Sequence, residues 1–549
     1  MKQNSARIER AHLGVALLLS SALGCEARAT NTQASPAIDG GALDRDAASR
    51  ETEIDGAVVD VPLVHTGLGM LQGAFSGASR KFLGIPYAQP PVGALRFAPP
   101  QPTAAWSSPR TADAFGPACP QPSSSLSDPN PTDEDCLYLN VFAPTHVDTP
   151  LPVMVFIHGG AFMRGGSDQY DGSQLASDGS VVVVTFNYRL GPLGFLAHPA
   201  LDAARDVPSG DDGIRDQRMA LQFVHDHIAA FGGDPQDVTL FGQSAGAVST
   251  CVHYVAPDSR SLAQRFVMES GTCVGKGYGV RTRADAEANG NQLANDLCAG
   301  ASDVLACLRD QPAQTLVDWH STAGVFGPNW GPSVEGAGGV LPDTPDNLIA
   351  DPNFHAPGAI IGTNKNEWDL FAWTNFRFVT SRAMLQSQIE AQFGSDADQV
   401  EQQYSADDDL DANEVYTRLM TDILFRCPTR RFARSTSDKG GLIYLYSFEQ
   451  GASIHGQELD LVFGGDGANP LAPISSPLLS LAMQDYWTHF ARTSTPNSPP
   501  LLIWPRYQTS SDEHMTLDDP PSVGSALSQS DCDFWDGFIS GGGVISLGL

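Results

Sequence analysis

Ser244 lies in Gly242-Gln243-Ser244-Ala245-Gly246, a G-x-S-x-G pentapeptide directly after the apolar run VTLF. A serine hydroxyl becomes a nucleophile only where its Oγ is exposed and a base can take its proton. A sharp strand-to-helix turn meets the first condition, and the flanking glycines let strand and helix approach closely. The amide of Ala245 is then free to donate to a developing oxyanion. Alone, the pentapeptide is a common arrangement of common residues that a plain loop also matches; the strand in front of it favours the nucleophile. His158-Gly159-Gly160-Ala161-Phe162 follows a second apolar run, VMVFI. A glycine-rich loop at a strand end presents backbone N–H groups with no side chain in the way. The amides of Gly160 and Ala161, with that of Ala245, would give three donors to one oxygen, each worth about 10²–10³ in rate. These are the parts of an acyl-transfer site.

The elements that must hold these parts are legible nearby. Val153–Ile157 and Val181–Phe186 are short, continuous apolar runs rich in β-branched residues. Such runs suit strands buried on both faces of a mostly parallel sheet. Asp216–Ala230 has helical spacing, and Gly232-Gly233 just beyond it is a stop signal. Strand and helix patterns alternate without a long linker or an internal repeat, which predicts an α/β sheet flanked by helices in a single large domain. The length of 549 residues would otherwise suggest three or four domains.

Taken together, the motifs resemble the type-B carboxylesterase/lipase family, closest in pattern to its bacterial para-nitrobenzyl-type esterases. FLGIPYAQPPVGALRF (82–97), EDCLYLNVF (134–142), NYRLGPLGFL (187–196), FGGDPQDVTLFGQSAGAVS (231–249), IGTNKNEW (361–368), HGQELDLVFG (455–464) and YWTHFARTSTPN (486–497) carry the likeness. It spans nearly everything from about residue 60 to 538. The resemblance implies the α/β-hydrolase fold and a serine esterase with the triad Ser244, Glu367 and His455, in the order serine, acid, histidine. His455 would act as general base and Glu367 would orient its ring. Asp369 is the rival acid; His158, His225, His227 and His253 are left without catalytic roles. Ser270 matches a buried serine that the family places near the triad; a supporting hydrogen-bond network with Glu458 and plain structural bonding are equally open. Phe162 and Phe371 are the leading substrate-pocket candidates, ahead of Phe326, Trp330 and Leu370, with core packing as the competing explanation. A lipase acting on longer-chain glycerides shares this triad, and some family members are adhesion proteins that have lost the nucleophile. Here the nucleophile is intact.

The resemblance also orders the cysteines. It implies the pairs Cys119–Cys136, Cys298–Cys307 and Cys427–Cys532, which leaves Cys251 and Cys273 as a fourth pair or as two buried thiols. Arg96–Glu134 and Arg189–Asp216 match its architectural salt bridges. The loop closed by Cys119 and Cys136 contains no tryptophan, whereas cholinesterases place one there to hold a quaternary ammonium by cation–π attraction.

The rest of the chain bears on location. Lys2, Arg7 and Arg10 precede the apolar run Leu13–Leu23, which predicts a signal peptide over residues 1–24. Two processing readings stand: a lipoprotein box at Ala22-Leu23-Gly24-Cys25, with Cys25 lipidated, or Ala27-Arg28-Ala29 as an ordinary cleavage site. Either exports the protein, and any membrane attachment would be through that lipid alone. Residues 25–57 read as a disordered tether, 58–540 as the catalytic domain and 541–549 as a flexible tail. Nine cysteines, or eight without Cys25, allow four disulfides in an oxidising compartment. The formal net charge of -31 makes nucleic acid a poor partner. No metal-ligand or dinucleotide motif appears, Asp407–Glu414 reads as a solvated acidic patch, and ester hydrolysis of a small-molecule substrate requires no cofactor.

Overall fold

The computed structural model describes residues 49–54, 57–122, 131–275, 279–319, 330–375, 378–404, 410–465 and 474–541. The signal segment, Cys25, the tail from 542 onward and Phe326 lie outside the described residues. So does the tether up to residue 48.

An eleven-stranded sheet organises the chain. Its strands are β1 (Ala74–Ser76), β2 (Ser79–Pro86), β3 (Tyr138–Pro144), β4 (Leu151–Ile157), β5 (Val182–Phe186) and β6 (Gly233–Gln243). They continue with β7 (Arg265–Glu269), β8 (Gly358–Asn364), β9 (Ile443–Phe448), β10 (Glu513–Leu517) and β11 (Ser522–Ser525). The spatial order is β11-β10-β9-β8-β7-β6-β4-β5-β3-β2-β1. Pairing is parallel from β5 through β10 and antiparallel at both ends, so the centre is a parallel sheet with antiparallel margins. That is the expected α/β architecture.

The apolar runs form strands here because both sheet faces are covered. Val153, Val155 and Ile157 of β4 point into one core with Val182, Val184 and Leu240. Met154 and Phe156 point into the opposite core with Val183 and Phe241. Alternation across a pleat normally leaves one face wet, and continuous hydrophobicity is the signature of a sheet with none. Against the first core pack both α1 (Asp212–His227) and α2 (Ala245–Val255). A third apolar cluster, built around Trp368, Phe371, Tyr416 and Trp535, joins α3 (Glu367–Asn375) to α4 (Ala412–Thr421) and the C-terminal helix Gln529–Ser540.

The tether boundary needs correction. Ser49–Ile54 pairs antiparallel with Ala57–Thr66, in a small sheet completed by Gly69–Gln72 and Arg110–Thr111. The folded unit therefore begins before residue 57. Composition averaged over 26–57 is dominated by Ala, Asp and Gly, which hid a short strand that draws its partners from the chain after it.

All four disulfides form: Cys119–Cys136, Cys251–Cys273, Cys298–Cys307 and Cys427–Cys532. The fourth pair resolves the alternative left by the sequence in favour of a bond. Arg96 pairs with Glu134, and Arg189 grips Asp216 through two guanidinium nitrogens at 2.7 and 2.8 Å. Within the acidic stretch, Asp411 and Glu414 cap α4 reciprocally, each carboxylate accepting the other's backbone N–H.

Candidate active site

Strand β6 ends at Gln243, and Ser244 turns the chain into α2 with φ 57° and ψ -123°. A non-glycine residue in this region is strained, and that strain persists only where the surroundings dictate it. They do so here. The Ser244 N–H donates to Glu269 O at the end of the neighbouring strand β7, at 2.8 Å. Gly246 lies so close to β4 that a Cβ on it would overlap Ile157 O. Close contact of strand and helix is therefore the reason for glycine at this position. Ala245 is the first residue of α2, so its amide has no intrahelical acceptor.

The loop after β4 packs against Ser244. Gly160, Ala161 and Phe162 take φ values of 111°, 57° and 59° in succession, a tight reversal at the strand end. Gly159 packs so near that a Cβ placed on it would come within 3.1 Å of the Ser244 Cβ. The three expected donors, Gly160, Ala161 and Ala245, thus belong to two segments that meet at Ser244.

Glu367 opens α3 just beyond β8, and His455 follows β9 on a loop. The fold brings them together: His455 Nδ1 is 2.6 Å from Glu367 Oε2. The second oxygen, Oε1, accepts the Asn364 N–H at 2.7 Å. Asp369, the rival acid, instead accepts a hydrogen bond from the Thr417 hydroxyl at 2.7 Å. On the other side of the ring, His455 Nε2 lies 3.2 Å from the Gln243 side-chain nitrogen, and Gln243 immediately precedes Ser244. If the Gln243 amide donates there, Nδ1 carries the ring proton toward Glu367 and Nε2 keeps its lone pair. That is the form a general base requires.

Two phenyl rings enclose the imidazole. Phe371 lies 5.0 Å from it and Phe425 4.9 Å, centroid to centroid. Phe371, a pocket candidate, therefore packs on the histidine; Phe162 is 2% exposed and packs against Phe195. Trp330 is buried under the Arg281 guanidinium, and Leu370 is half-buried. Phe425 sits in a π-helical turn, Asp422–Arg426, that links α4 to α5 (Cys427–Asp438). Such turns shift the side-chain register and recur at functional sites.

Behind Glu367 and His455 lie two more buried carboxyls. The Asn364 side-chain N–H donates to Glu458, and the Trp487 indole N–H donates to Glu269 at 2.7 Å. Burial pushes Glu269 up to about 8. Burial, and then the charges of Glu367 and Glu269, hold Glu458 well above the usual carboxyl range. Ser270 and Glu458 are both fully buried, but Ser270 Oγ and Glu458 Oε1 have no partner among the described residues. The four histidines left without catalytic roles have other neighbours. His158 stacks on Tyr188 at 4.5 Å and is lowered to about 4 by burial; His253 Nε2 is 3.0 Å from Gln217. His225 meets Asp226, and His227 packs on Phe223.

Gln243, Asn364 and Phe425 escaped the sequence reading. The first two stand inside motifs already singled out, at variable positions whose side chains no motif specifies; for Phe425 no sequence signal exists.

The chain is similar to known proteins over most of its length. The carboxylesterase family model matches residues 60–535. A para-nitrobenzyl esterase of Bacillus subtilis is 35% identical, covering 83% of this chain and 94% of that protein. Carboxylesterase 5A of Felis catus is 32% identical over 88% of this chain and 95% of its own length. An acetylcholinesterase of Bungarus fasciatus is 31% identical, with 87% and 86% covered. With a strained serine under a glycine-rich loop and a histidine–glutamate pair beside it, the chain belongs to the carboxylesterase family and is a serine hydrolase of carboxylic esters.

Proposed function

We propose that Ser244 is the nucleophile, His455 the general base and Glu367 the acid that orients it. The observation that carries this reading is the 2.6 Å contact between His455 Nδ1 and Glu367 Oε2, with the opposite ring nitrogen turned to the residue before Ser244. His455 takes the Ser244 proton as Oγ attacks the ester carbonyl; the amides of Gly160, Ala161 and Ala245 receive the oxyanion. His455 returns the proton to the departing alcohol, leaving an acyl-enzyme. Water then attacks with His455 again as base, and the acid leaves.

The favoured substrates are small neutral carboxylic esters. Similarity to a para-nitrobenzyl esterase supports this, as does the lack of tryptophan in the Cys119–Cys136 loop, which denies a choline head its cation–π seat. Four disulfides suit an oxidising compartment, and the basic, then apolar, N-terminus suits export, with lipidation at Cys25 the finer reading. Among the described residues no helix is long and apolar enough to cross a membrane.

Ser244→Ala tests the assignment. Turnover of p-nitrophenyl acetate should fall by about 10⁵–10⁶ while the melting temperature stays within a few degrees. A loss below about tenfold would reject Ser244 as nucleophile.

A further inference from the structure

Asn364, the last residue of β8, is fully buried and touches three parts of the site at once. Its backbone N–H donates to Glu367 Oε1 at 2.7 Å. Its side-chain Nδ2 donates to Ile454 O at 2.7 Å, one peptide before His455, and to Glu458 Oε2. Ile454 O can only accept, so the amide has one sensible orientation: a flipped group would set its oxygen against that carbonyl oxygen. From this geometry we propose that Asn364 is a positioning residue, whose side-chain amide fastens the loop carrying His455 to the segment carrying Glu367. The proposal rests on the triad reading above and adds to it the device that keeps acid and base in register.

The neighbouring contacts show why this position matters more than the rest of the seam. Lys365 N–H donates to Ser453 Oγ at 3.0 Å, Asn366 N–H to Ser453 O at 3.0 Å, and Asn366 Nδ2 to Ala452 O at 3.0 Å. The Asn366 contact is exposed, so water can replace it when the side chain is removed. The Asn364 contact is buried, where a lost donor leaves Ile454 O and the Glu458 carboxyl unsatisfied. The cheapest relief is movement of the loop, and the imidazole moves with it. Misplacement on the scale of an ångström costs about a hundredfold when it falls between reacting groups. Asn364 reaches the reaction only through Glu367 and His455, so the cost should fall on kcat and spare KM.

The test compares Asn364→Leu, which keeps size and removes the donor, with Asn366→Leu on the exposed part of the seam. Asn364→Asp, nearly the same shape without the donor, is read in its place if the leucine variant fails to fold, as judged by thermal melting. Kinetics with p-nitrophenyl acetate are measured on full-length protein, and fluorophosphonate labelling is mapped by peptide mass spectrometry. The expected result is a kcat lowered by about 10- to 100-fold, a KM within about threefold of the parent, and Asn366→Leu within about twofold. The label should reach Ser244 in every variant, more slowly at residue 364. Equal losses at 364 and 366, or a residue-364 variant within about twofold of the parent, would overturn the positioning role while leaving the triad intact. A label that never lands on Ser244, in the parent included, would overturn the triad and the proposal with it.

Discussion

Around Ser244, position is set by backbone; around Glu367 and His455 it is set by side chains. Ser244 is held by its own φ and ψ, by a main-chain bond to Glu269 O and by glycine contacts with β4. Glu367 and His455 stand on different connections, 88 residues apart in sequence, and are joined by their own hydrogen bond, by the amide of Asn364 and by two phenyl rings. The lesson is about how each half fails. Backbone geometry is all or none, because a Cβ that overlaps a carbonyl cannot relax without moving a strand. A side-chain network loosens by degrees, so its mutants should fold and work poorly.

Three variants sharpen this contrast. Glu367→Gln keeps size and loses the charge opposite the imidazolium, so it should fold normally and drop kcat by about 10³–10⁴. Steady-state kinetics beside a thermal melt check both halves of that statement. Gly246→Ala should behave in the opposite way: the new methyl meets Ile157 O, and overpacking costs on the order of 3 kcal/mol or more. The expected sign is a lowered melting temperature and poor recovery of folded protein. A Gly246→Ala enzyme that is fully stable but slow would remove the distinction between the halves. The smallest effect concerns Glu269→Gln. Burial raises the Glu269 carboxyl to about 8, so the folded state holds a proton that the unfolded chain releases above its ordinary range near 4.3. Stability from this group is therefore present at low pH and lost as pH rises toward 8. The glutamine variant still offers an oxygen to Trp487, and should melt a few degrees higher than the parent at pH 8 and alike at pH 4.

The same contrast explains what could be read before any coordinates. Backbone devices leave local marks: glycines at fixed spacing after an apolar run point to Ser244, Gly160, Ala161 and Ala245 as candidates. Strands buried on both faces announce themselves through continuous hydrophobicity, so the sheet was legible too. Glu367 and His455 were reached only through resemblance, since no local chemistry distinguishes His455 among 13 histidines. Asn364, Gln243 and Phe425 were not reached at all. Gln243 meets His455 across 212 residues, and Asn364 meets Glu458 across 94. Phe425 faces the imidazole because of a π-helical turn, a register shift with no sequence mark. The strand at Ser49–Ile54 was missed for a related reason, since its pairing partner supplies the evidence for it.

In the proposed mechanism a hydroxyl, an imidazole and three amides converge on one reacting atom. A crystal structure of the protein inactivated by diethyl p-nitrophenyl phosphate tests it most directly. The expected result is phosphorus bonded to Ser244 Oγ and the phosphoryl oxygen about 2.7–3.1 Å from the amides of Gly160, Ala161 and Ala245. His455 Nε2 should also lie within hydrogen-bond reach of the serine oxygen. A phosphoryl group on another residue, or on Ser244 with its oxygen directed away from those amides, would contradict it.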